Sequence, residues 1–551
     1  MRKKSVWILV ASLIAATLIG CQNESSDENG RIAPLLSGMG DHHHAITTDD
    51  AMAQRFFDQG LALAYGFNHK EAERSFREVA RLDPECAMAY WGIALVLGPN
   101  INAAMDEAEV ANAFTAIQKA LELATNASAK EQAYINALAK RYAPQPVADR
   151  KPLDEAYAQA MKEVAQRYPD DPDAAALAAE ALMDLHPWDF WERDGQPKSW
   201  TSEIIALLET GLQQWPNHPG FNHFYIHTIE ASNEPERAMA SADRLQTLVP
   251  GAGHLVHMPA HIYIRTGRYI DAIIANENAV KADSGYITQC HAQGMYPVAY
   301  VPHNHHFLSA AATMAGNSQK ALSAAHHMAM QQDAKLMREP GYGTLQHYFT
   351  IPLYAMIKFG KWEEILQSSP PDADLLYPNG VWHFARGMAF TRTGKLGEAA
   401  AELEKLNTIA ADTALLHVTI WDINTTYDLM QIARTTLAGE LAAKHGKFDD
   451  AIAQLRKAVE FEDNLTYDEP PPWYFPARHN LGAVLLESGR AAGAQKVFAE
   501  DLMKYPENGW SLFGLHQSLA AQGKSAEAAA VQSRLTAAWA AADVQLVAAR
   551  F

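Results

Sequence analysis

Histidine is concentrated in one part of this 551-residue sequence. Three short stretches carry it, and they read NHFYIHTIE, GHLVHMPAHIY and PHNHHF. Imidazole and carboxylate together are a common ligand set for zinc, copper and iron, and two histidines four residues apart on a helix can hold one ion. The sequence therefore predicts a transition-metal site, provided that these side chains share one face of the fold. The candidate ligands are His223, His227, Glu230, His254, His257, His261, His303 and His306.

The elements that must position these residues are helical repeats. Several segments share a glycine-containing turn followed by an alanine and a bulky residue, as in HIYIRTGRYIDAIIANENAVKAD and AAKHGKFDDAIAQLRKAVEFED. This pattern resembles tetratricopeptide (TPR) repeats of about 34 residues, in which small residues let two paired helices approach closely. The resemblance implies repeats that begin near residues 53, 87, 219, 253, 302, 346, 380, 432, 475 and 509.

The predicted fold class is all-α: a TPR-type α-solenoid, in which helix pairs wind into a right-handed superhelix with a concave groove. The expected segments follow the chain in order. They are a lipoprotein signal peptide at 1–20, a lipidated cysteine and flexible tether at 21–50, TPR-like helices with an aromatic loop at 51–205, central repeats that carry the histidines at 206–415, and C-terminal repeats at 416–551.

The TPR register places the histidines on one face. In a TPR, positions 2, 5, 9 and 12 of the first helix face the groove, because spacings of three and four residues fall on the same side of a helix. In the repeats that start at Pro219, Gly253 and Pro302, seven of the twelve such positions are histidine. The 23 histidines of the chain would place only roughly half a histidine there by chance.

Other roles for these histidines remain open at this stage. They could hydrogen-bond an acidic peptide, form a cluster that repels itself when protonated, or be structural. A further tract, His42–His44, is expected either to fold back over the protein or to stay solvated and bind metal loosely.

The N-terminus has the features of a bacterial lipoprotein leader. Basic residues precede the apolar run VWILVASLIAATLI, and the run ends in LIGC, which resembles a lipobox. The resemblance implies cleavage before Cys21 and lipidation of its thiol, and Gln22 after it favours the outer membrane. An ordinary signal peptide with an incidental cysteine is the alternative. Cys86 and Cys290 are the two remaining cysteines and could form one disulfide.

The chain also resembles a group of uncharacterised bacterial TPR lipoproteins. The shared motifs are FFDQGLALAYGFNHKEA, AMAYWGIALVLGPNIN, HPWDFW and GAGHLVHMPAHIYIR. The resemblance implies a TPR fold and a location in the cell envelope, with the membrane as partner through the lipid anchor and the periplasm as compartment. It implies no activity.

Three functions are consistent with the sequence. The first is a metal site in the groove, with zinc, copper or iron bound and with Glu230 as ligand or, in a catalytic version, general base. The second is an envelope scaffold whose groove holds a peptide or protein segment without metal. The third is metal storage or delivery. A formal charge of −19 argues against a nucleic-acid partner.

Overall fold

The computed structural model describes residues 30–290, 296–473 and 475–551. The predicted signal peptide and the predicted lipidation site, Cys21, lie outside these residues. The described chain divides into two compact units. The first contains the chain up to Ile262 together with Asn278–Pro297, and the second contains Tyr263–Glu277 and Val298–Phe551.

Helices that pack in consecutive antiparallel pairs make up both units. The helices of the first unit are α1 (Ala51–Tyr65), α2 (His69–Leu82), α3 (Ala87–Val96), α4 (Val110–Leu123), α5 (Ala129–Leu138), α6 (Lys151–Arg167), α7 (Pro172–Asp184), α8 (Thr201–Gln214), α9 (Pro219–Ile229), α10 (Met239–Leu248) and α11 (Gly253–His257). Two helices contribute residues to both units, and they are α12 (Pro259–Arg265) and α13 (Tyr269–Cys290).

The second unit continues the same pattern. Its helices are α14 (Val301–Met314), α15 (Ser318–Met330), α16 (Gly343–Lys358), α17 (Trp362–Gln367), α18 (Leu376–Arg392), α19 (Leu396–Ala410), α20 (Thr426–Lys444), α21 (Phe448–Asp463), α22 (Ala477–Glu487), α23 (Ala491–Lys504), α24 (Gly509–Ala521) and α25 (Ser525–Ala538). Among the described residues, the named strands are limited to one antiparallel pair, β1 (Thr419–Ile420) and β2 (Asn424–Thr425). The predicted fold class, an all-α solenoid of the TPR type, is confirmed.

The repeat register agrees with the helix boundaries. Helices begin at Ala87, Pro219, Gly253 and Gly509, the residues at which the register places repeat starts. The largest shift is at α20, which begins at Thr426, six residues before its expected start. A threonine cap explains this extension, because the side chain of Thr425 accepts the N–H of Asp428.

Glycine at position 8 of a repeat lets the two helices of a pair touch. A Cβ on Gly60 would lie 2.7 Å from the ring of Phe76 on the partner helix, and a Cβ on Gly482 would overlap the ring of Phe498 in the same way. The aromatic ring occupies the space that a side chain would fill. This close contact explains why the repeat pattern combines a small residue with a bulky one.

The segment Gly30–Asp50, which we name the N-terminal strap, is attached to the first unit. The backbone N–H of Leu36 donates to the side-chain oxygen of Gln59 at 2.7 Å, and the N–H of Ile32 donates to Glu78 at 2.9 Å. The structure therefore differs from the predicted flexible tether over this part of the chain. The polar groups of the strap form hydrogen bonds with side chains of the helices. Its composition is therefore polar, like that of a linker, although it is packed against the protein.

Two further sequence expectations concern the membrane and the cysteines. Within the described ranges, none of the helices combines the length and the apolar composition of a membrane span. Cys86 and Cys290 are both buried and unbonded to each other.

Candidate metal centre

Five histidines of the first unit form one continuous cluster. His223 and His227 lie on α9, His254 and His257 on α11, and His261 on α12. The ring centroids are 4.8 Å apart for His223 and His227, 5.0 Å for His223 and His254, 5.7 Å for His227 and His261, and 4.8 Å for His257 and His261. We name these five residues the histidine cluster. The spacing of three and four residues on short consecutive helices brings the rings together, as the register predicts.

Three members have ring nitrogens that lie close to one another. One ring nitrogen from each of His223, His227 and His254 lies within 4.8 Å of the other two. His254 joins the α9 pair because α11 is only one and a half turns long and its first turn faces α9.

The hydrogen bonds of two rings define where their protons lie. His223 donates its Nδ1–H to the backbone carbonyl of Tyr65 at 2.6 Å, and His227 donates its Nδ1–H to Oε1 of Glu230 at 2.8 Å. A carbonyl and a carboxylate only accept, so in each neutral ring the lone pair is on Nε2. The Nε2 atom of His227 is buried and has no hydrogen-bond partner.

The ring of His254 faces the Nε2 lone pair of His223. The Nε2 atoms of His223 and His254 are 3.2 Å apart. Because Nε2 of His223 carries a lone pair, His254 must donate a proton to it when no ion is bound. A cation placed between these nitrogens would replace that proton, and one ring nitrogen of His227 lies within 4.8 Å of a nitrogen of each of the other two rings.

Glu230 connects the two halves of the cluster. Its Oε1 accepts from His227, and its Oε2 accepts from Nδ1 of His261, while Nε2 of His261 lies 2.9 Å from Nε2 of His257. Both carboxylate oxygens therefore orient imidazoles through Nδ1. The carboxylate thus lies behind these two rings and leaves their Nε2 atoms facing inward, and its predicted role as ligand or general base stays a prediction.

The cluster is buried. Each of its five residues is between 0% and 3% exposed. Burial lowers the pKa of His227 to about 3, and it lowers the pKa of His261 to about 4 despite the opposing effect of Glu230. Burial and then neighbouring imidazoles hold the pKa of His254 well below its usual value. These three rings are therefore neutral near pH 7, which is the state that binds metal.

Sequence reasoning missed Phe67, which covers the cluster. Its ring stacks on that of His227 at 5.9 Å and 17°, and it lies 4.6 Å from that of His223. Phe67 occupies the turn position that is glycine in most other repeats, and its φ is 54°. A left-handed conformation costs a non-glycine residue about 1–2 kcal/mol. The signal in the sequence was an aromatic residue where the repeat pattern calls for glycine.

The remaining two predicted ligands, His303 and His306, belong to the second unit. The ring of His303 packs against Phe307 at 4.9 Å. The ring of His306 lies 5.5 Å from that of His347, whose Nδ1 lies 2.8 Å from the hydroxyl of Tyr377. The structure thus places six of the eight predicted ligands together in the first unit, and the role of His303 and His306 remains a prediction.

Comparisons with known proteins identify neither a family nor an activity for this chain. No model of a known protein family matches the chain, and no curated protein matches it. Solved structures that resemble it include the human IFIT1 dimer with m7Gppp-AAAA and the same dimer with PPP-AAAA. Both are 12% identical over 89% of this chain and 91% of that chain, with TM-scores of 0.30 and 0.28. Scores this low transfer neither fold nor function, so the TPR-type assignment depends on the helix pairs themselves.

Proposed function

We propose that this protein is an envelope-tethered TPR lipoprotein whose first unit binds a transition-metal ion through Nε2 of His223, His227 and His254. The observation that carries the proposal is the pattern of protons in the cluster. Two rings donate Nδ1–H to acceptors behind them, so their Nε2 lone pairs face inward, and one of those lone pairs is buried without a partner. A buried unpaired polar atom costs about 1–3 kcal/mol, and a bound ion removes that cost.

The surroundings of the rings also suit a metal. Metal-bound histidines usually donate their second nitrogen's proton to a carboxylate or a backbone carbonyl, which fixes the ring and raises its basicity. Glu230 does this for His227, and the carbonyl of Tyr65 does it for His223. Three imidazoles favour zinc, copper or iron over magnesium or calcium, which prefer oxygen ligands.

The burial of the site favours an ion that is retained over one that turns over substrate. Because each of these residues is at most 3% exposed, bulk solvent reaches the nitrogens poorly. A stored or structural ion needs no substrate access, whereas catalysis requires an open coordination position that substrate can reach. His257 and His261 extend the cluster and could hold a second ion through their facing Nε2 atoms.

Metal analysis tests the proposal directly. We expect untagged protein to retain close to one or more equivalents of zinc, copper or iron, and we expect His223→Ala combined with His227→Ala to remove at least one equivalent. His326→Ala is the matched control, because His326 is exposed on α15. Full metal content in the double variant, with helicity preserved by circular dichroism, would overturn the site.

A broader function stands whether or not metal binds. Stacked helix pairs of the TPR type commonly act as protein-binding scaffolds. If the wild-type protein binds no transition metal near neutral pH, an envelope scaffold that binds a peptide or protein segment becomes the best-supported function. The lipid anchor at Cys21 and a position at the outer membrane facing the periplasm belong to the same proposal, and they are supported by the lipobox-like LIGC.

A further inference from the structure

Residues 541–551 pack against the second unit without forming a helix or a strand, and we name them the tail. The tail is attached at two places. At the first, the carboxylate of Asp543 accepts the backbone N–H of Ser318 at 2.7 Å, at the start of α15. The second begins at Ala549, which is 1% exposed, whereas Val547 two positions earlier is 74% exposed. The tail is therefore tethered at one point and inserts into the unit at another.

Arg550 places its guanidinium between two carboxylates on neighbouring repeats. Its Nε donates to Oε1 of Glu440 on α20 at 2.6 Å, and its two terminal nitrogens donate to the two carboxylate oxygens of Glu487 on α22 at 2.9 and 3.2 Å. All three nitrogens of the guanidinium are thus used. A lysine has a single side-chain nitrogen and cannot reproduce this forked geometry. The two carboxylates therefore form a pocket that selects arginine.

The arginine pocket remains hydrogen-bonded without Arg550. Glu440 is fully buried, but its Oε2 also accepts from Arg392 on α18 at 2.8 Å, and its Oε1 also accepts from Asn480 at 2.6 Å. Although burial raises the pKa of Glu440, Arg392 and Arg550 lower it to about 2, so this carboxylate is charged near pH 7. The side chain of Glu487 is 47% exposed, so water can hydrate it. Departure of the guanidinium consequently leaves no buried carboxylate without a partner.

Phe551 occupies a slot beside the arginine pocket. Its ring meets that of the buried Trp510 on α24 edge to face, with centroids 5.6 Å apart and an angle of 84°. A Cβ on Gly360 would lie 3.1 Å from Cβ of Phe551, so a glycine at this turn leaves room for the aromatic residue. Nζ of Lys358 lies 3.8 Å from the centroid of Trp510 and 3.5 Å from the carbonyl oxygen of Ala549. The slot therefore accepts an aromatic residue directly after arginine.

The tail contacts the face that the repeat register assigns to the groove. In the repeats that begin near residues 432 and 509, Glu440 is at position 9 and Trp510 is at position 2, and both positions face the groove in a TPR. Solenoid repeats use this face to bind extended partners. The tail thus lies where a bound peptide would lie, and it is held mainly by two consecutive side chains.

We propose that this groove is a peptide-binding site that recognises an arginine followed directly by an aromatic residue, and that the tail occupies it until a partner displaces it. The partner is a protein with an exposed, extended segment that carries the same pair of residues. This proposal rests on the TPR-type scaffold and is independent of the metal ion in the first unit. A ligand on a short tether competes at an effective concentration of about 1 mM. A free peptide with a dissociation constant of about 0.1 mM should therefore bind about tenfold more weakly than it would to an empty groove.

Fluorescence anisotropy with the full chain in detergent tests the site. The probe is a fluorescein-labelled peptide, VAARF, which copies residues 547–551. We expect Arg550→Ala to bind it at least about tenfold more tightly than wild type, and Phe551→Ala at least about threefold more tightly, because each change weakens the competing tail. Phe551→Ala keeps the ion pairs of Arg550, so it provides the test if Arg550→Ala fails to fold. Arg534→Ala is the matched control and should bind like wild type, because Arg534 is exposed on α25 and pairs with Glu507.

Two comparisons in the Phe551→Ala background test what the groove recognises. The peptide VAAKF, with lysine in place of arginine, should bind at least about fivefold more weakly than VAARF. Adding Glu487→Gln should weaken binding of VAARF by a similar factor, because it removes one carboxylate of the arginine pocket. Binding of VAARF should be unchanged by EDTA, so loss of metal is distinguishable from loss of peptide binding. If the folded tail variants bind VAARF no more tightly than wild type, or bind VAAKF equally well, the tail is a fixed part of the unit and the proposal is overturned.

Discussion

Glu230→Gln is the most informative single substitution in the histidine cluster. The carboxylate is fully buried and accepts Nδ1–H from both His227 and His261. Glutamine has the same size, but it offers one acceptor oxygen and one N–H₂ group. One of the two rings must then accept at Nδ1 and carry its proton on Nε2, which is the nitrogen that an ion needs.

The size of the effect follows from the role of the carboxylate. Loss of a group that orients a metal-bound histidine typically lowers metal affinity by about 10-fold to 100-fold, or about 1.4–2.8 kcal/mol. Glutamine can keep its oxygen toward His227, but it cannot supply the negative charge that makes this ring a stronger ligand. We therefore expect Glu230→Gln to raise the dissociation constant for Zn²⁺ by at least about tenfold.

Competition with a chromophoric chelator at pH 7.5 measures this constant. Glu234→Gln serves as the control, because Glu234 is exposed just after the same helix and should leave the affinity unchanged. Glu230→Asp separates charge from reach, since it keeps the charge but cannot contact both rings. A folded Glu230→Gln protein whose Zn²⁺ dissociation constant stays within twofold of wild type would refute the assigned role of the carboxylate.

Three further predictions concern stability and location. Gly482→Ala should lower the free energy of unfolding by about 1–3 kcal/mol in urea titrations, because its Cβ overlaps the ring of Phe498. Gly397→Ala, whose Cβ meets open space in α19, should instead raise the free energy of unfolding by up to about 1 kcal/mol. Burial raises the pKa of Glu462 to about 7, so the folded state favours the neutral carboxyl group. The free energy of unfolding therefore falls as pH rises from about 4.5 to 7, where the unfolded chain ionises this group and the folded chain does not. Glu462→Gln should therefore unfold like wild type at pH 4 and be more stable by up to about 3 kcal/mol at pH 8, and equal stabilities at pH 8 would contradict this. Cys21→Ser should move the protein from the membrane fraction to the soluble fraction or block its processing, as followed by fractionation and mass spectrometry, and membrane association like wild type would rule out the lipid anchor.

Local patterns in the sequence were sufficient to predict the helix pairs. Helix formation depends on contacts between residues three and four positions apart, and helix pairs close over glycine and alanine at fixed positions, so both leave a periodic signal. Gly60 and Gly482 show the same close contact with a phenylalanine sixteen residues later. For the same reason, the spacing of His223 with His227 was enough to place this pair on one face of α9, whereas His257 and His261 lie on the consecutive helices α11 and α12.

Periodic patterns in the sequence could not predict contacts between segments that are far apart along the chain. Asp173 meets His42 across 131 residues, and Phe67 covers rings that lie more than 150 residues later. Neither contact leaves a periodic trace, because it depends on how whole helices and the strap pack together. The strap was predicted as a tether for this reason: its polar composition is the same whether its groups bind water or buried side chains.

The sequence by itself determined the all-α repeat fold, the register of the helix pairs and the helix positions that carry histidine. Only the tertiary structure decided that the rings are buried, which ring nitrogen carries the proton, and that Glu230 lies behind the rings while His303 and His306 belong to the second unit. The physical reason is that secondary structure is set by neighbours along the chain. The state of an imidazole is set instead by the acceptor it meets, and for His223 that acceptor is a carbonyl 158 residues away.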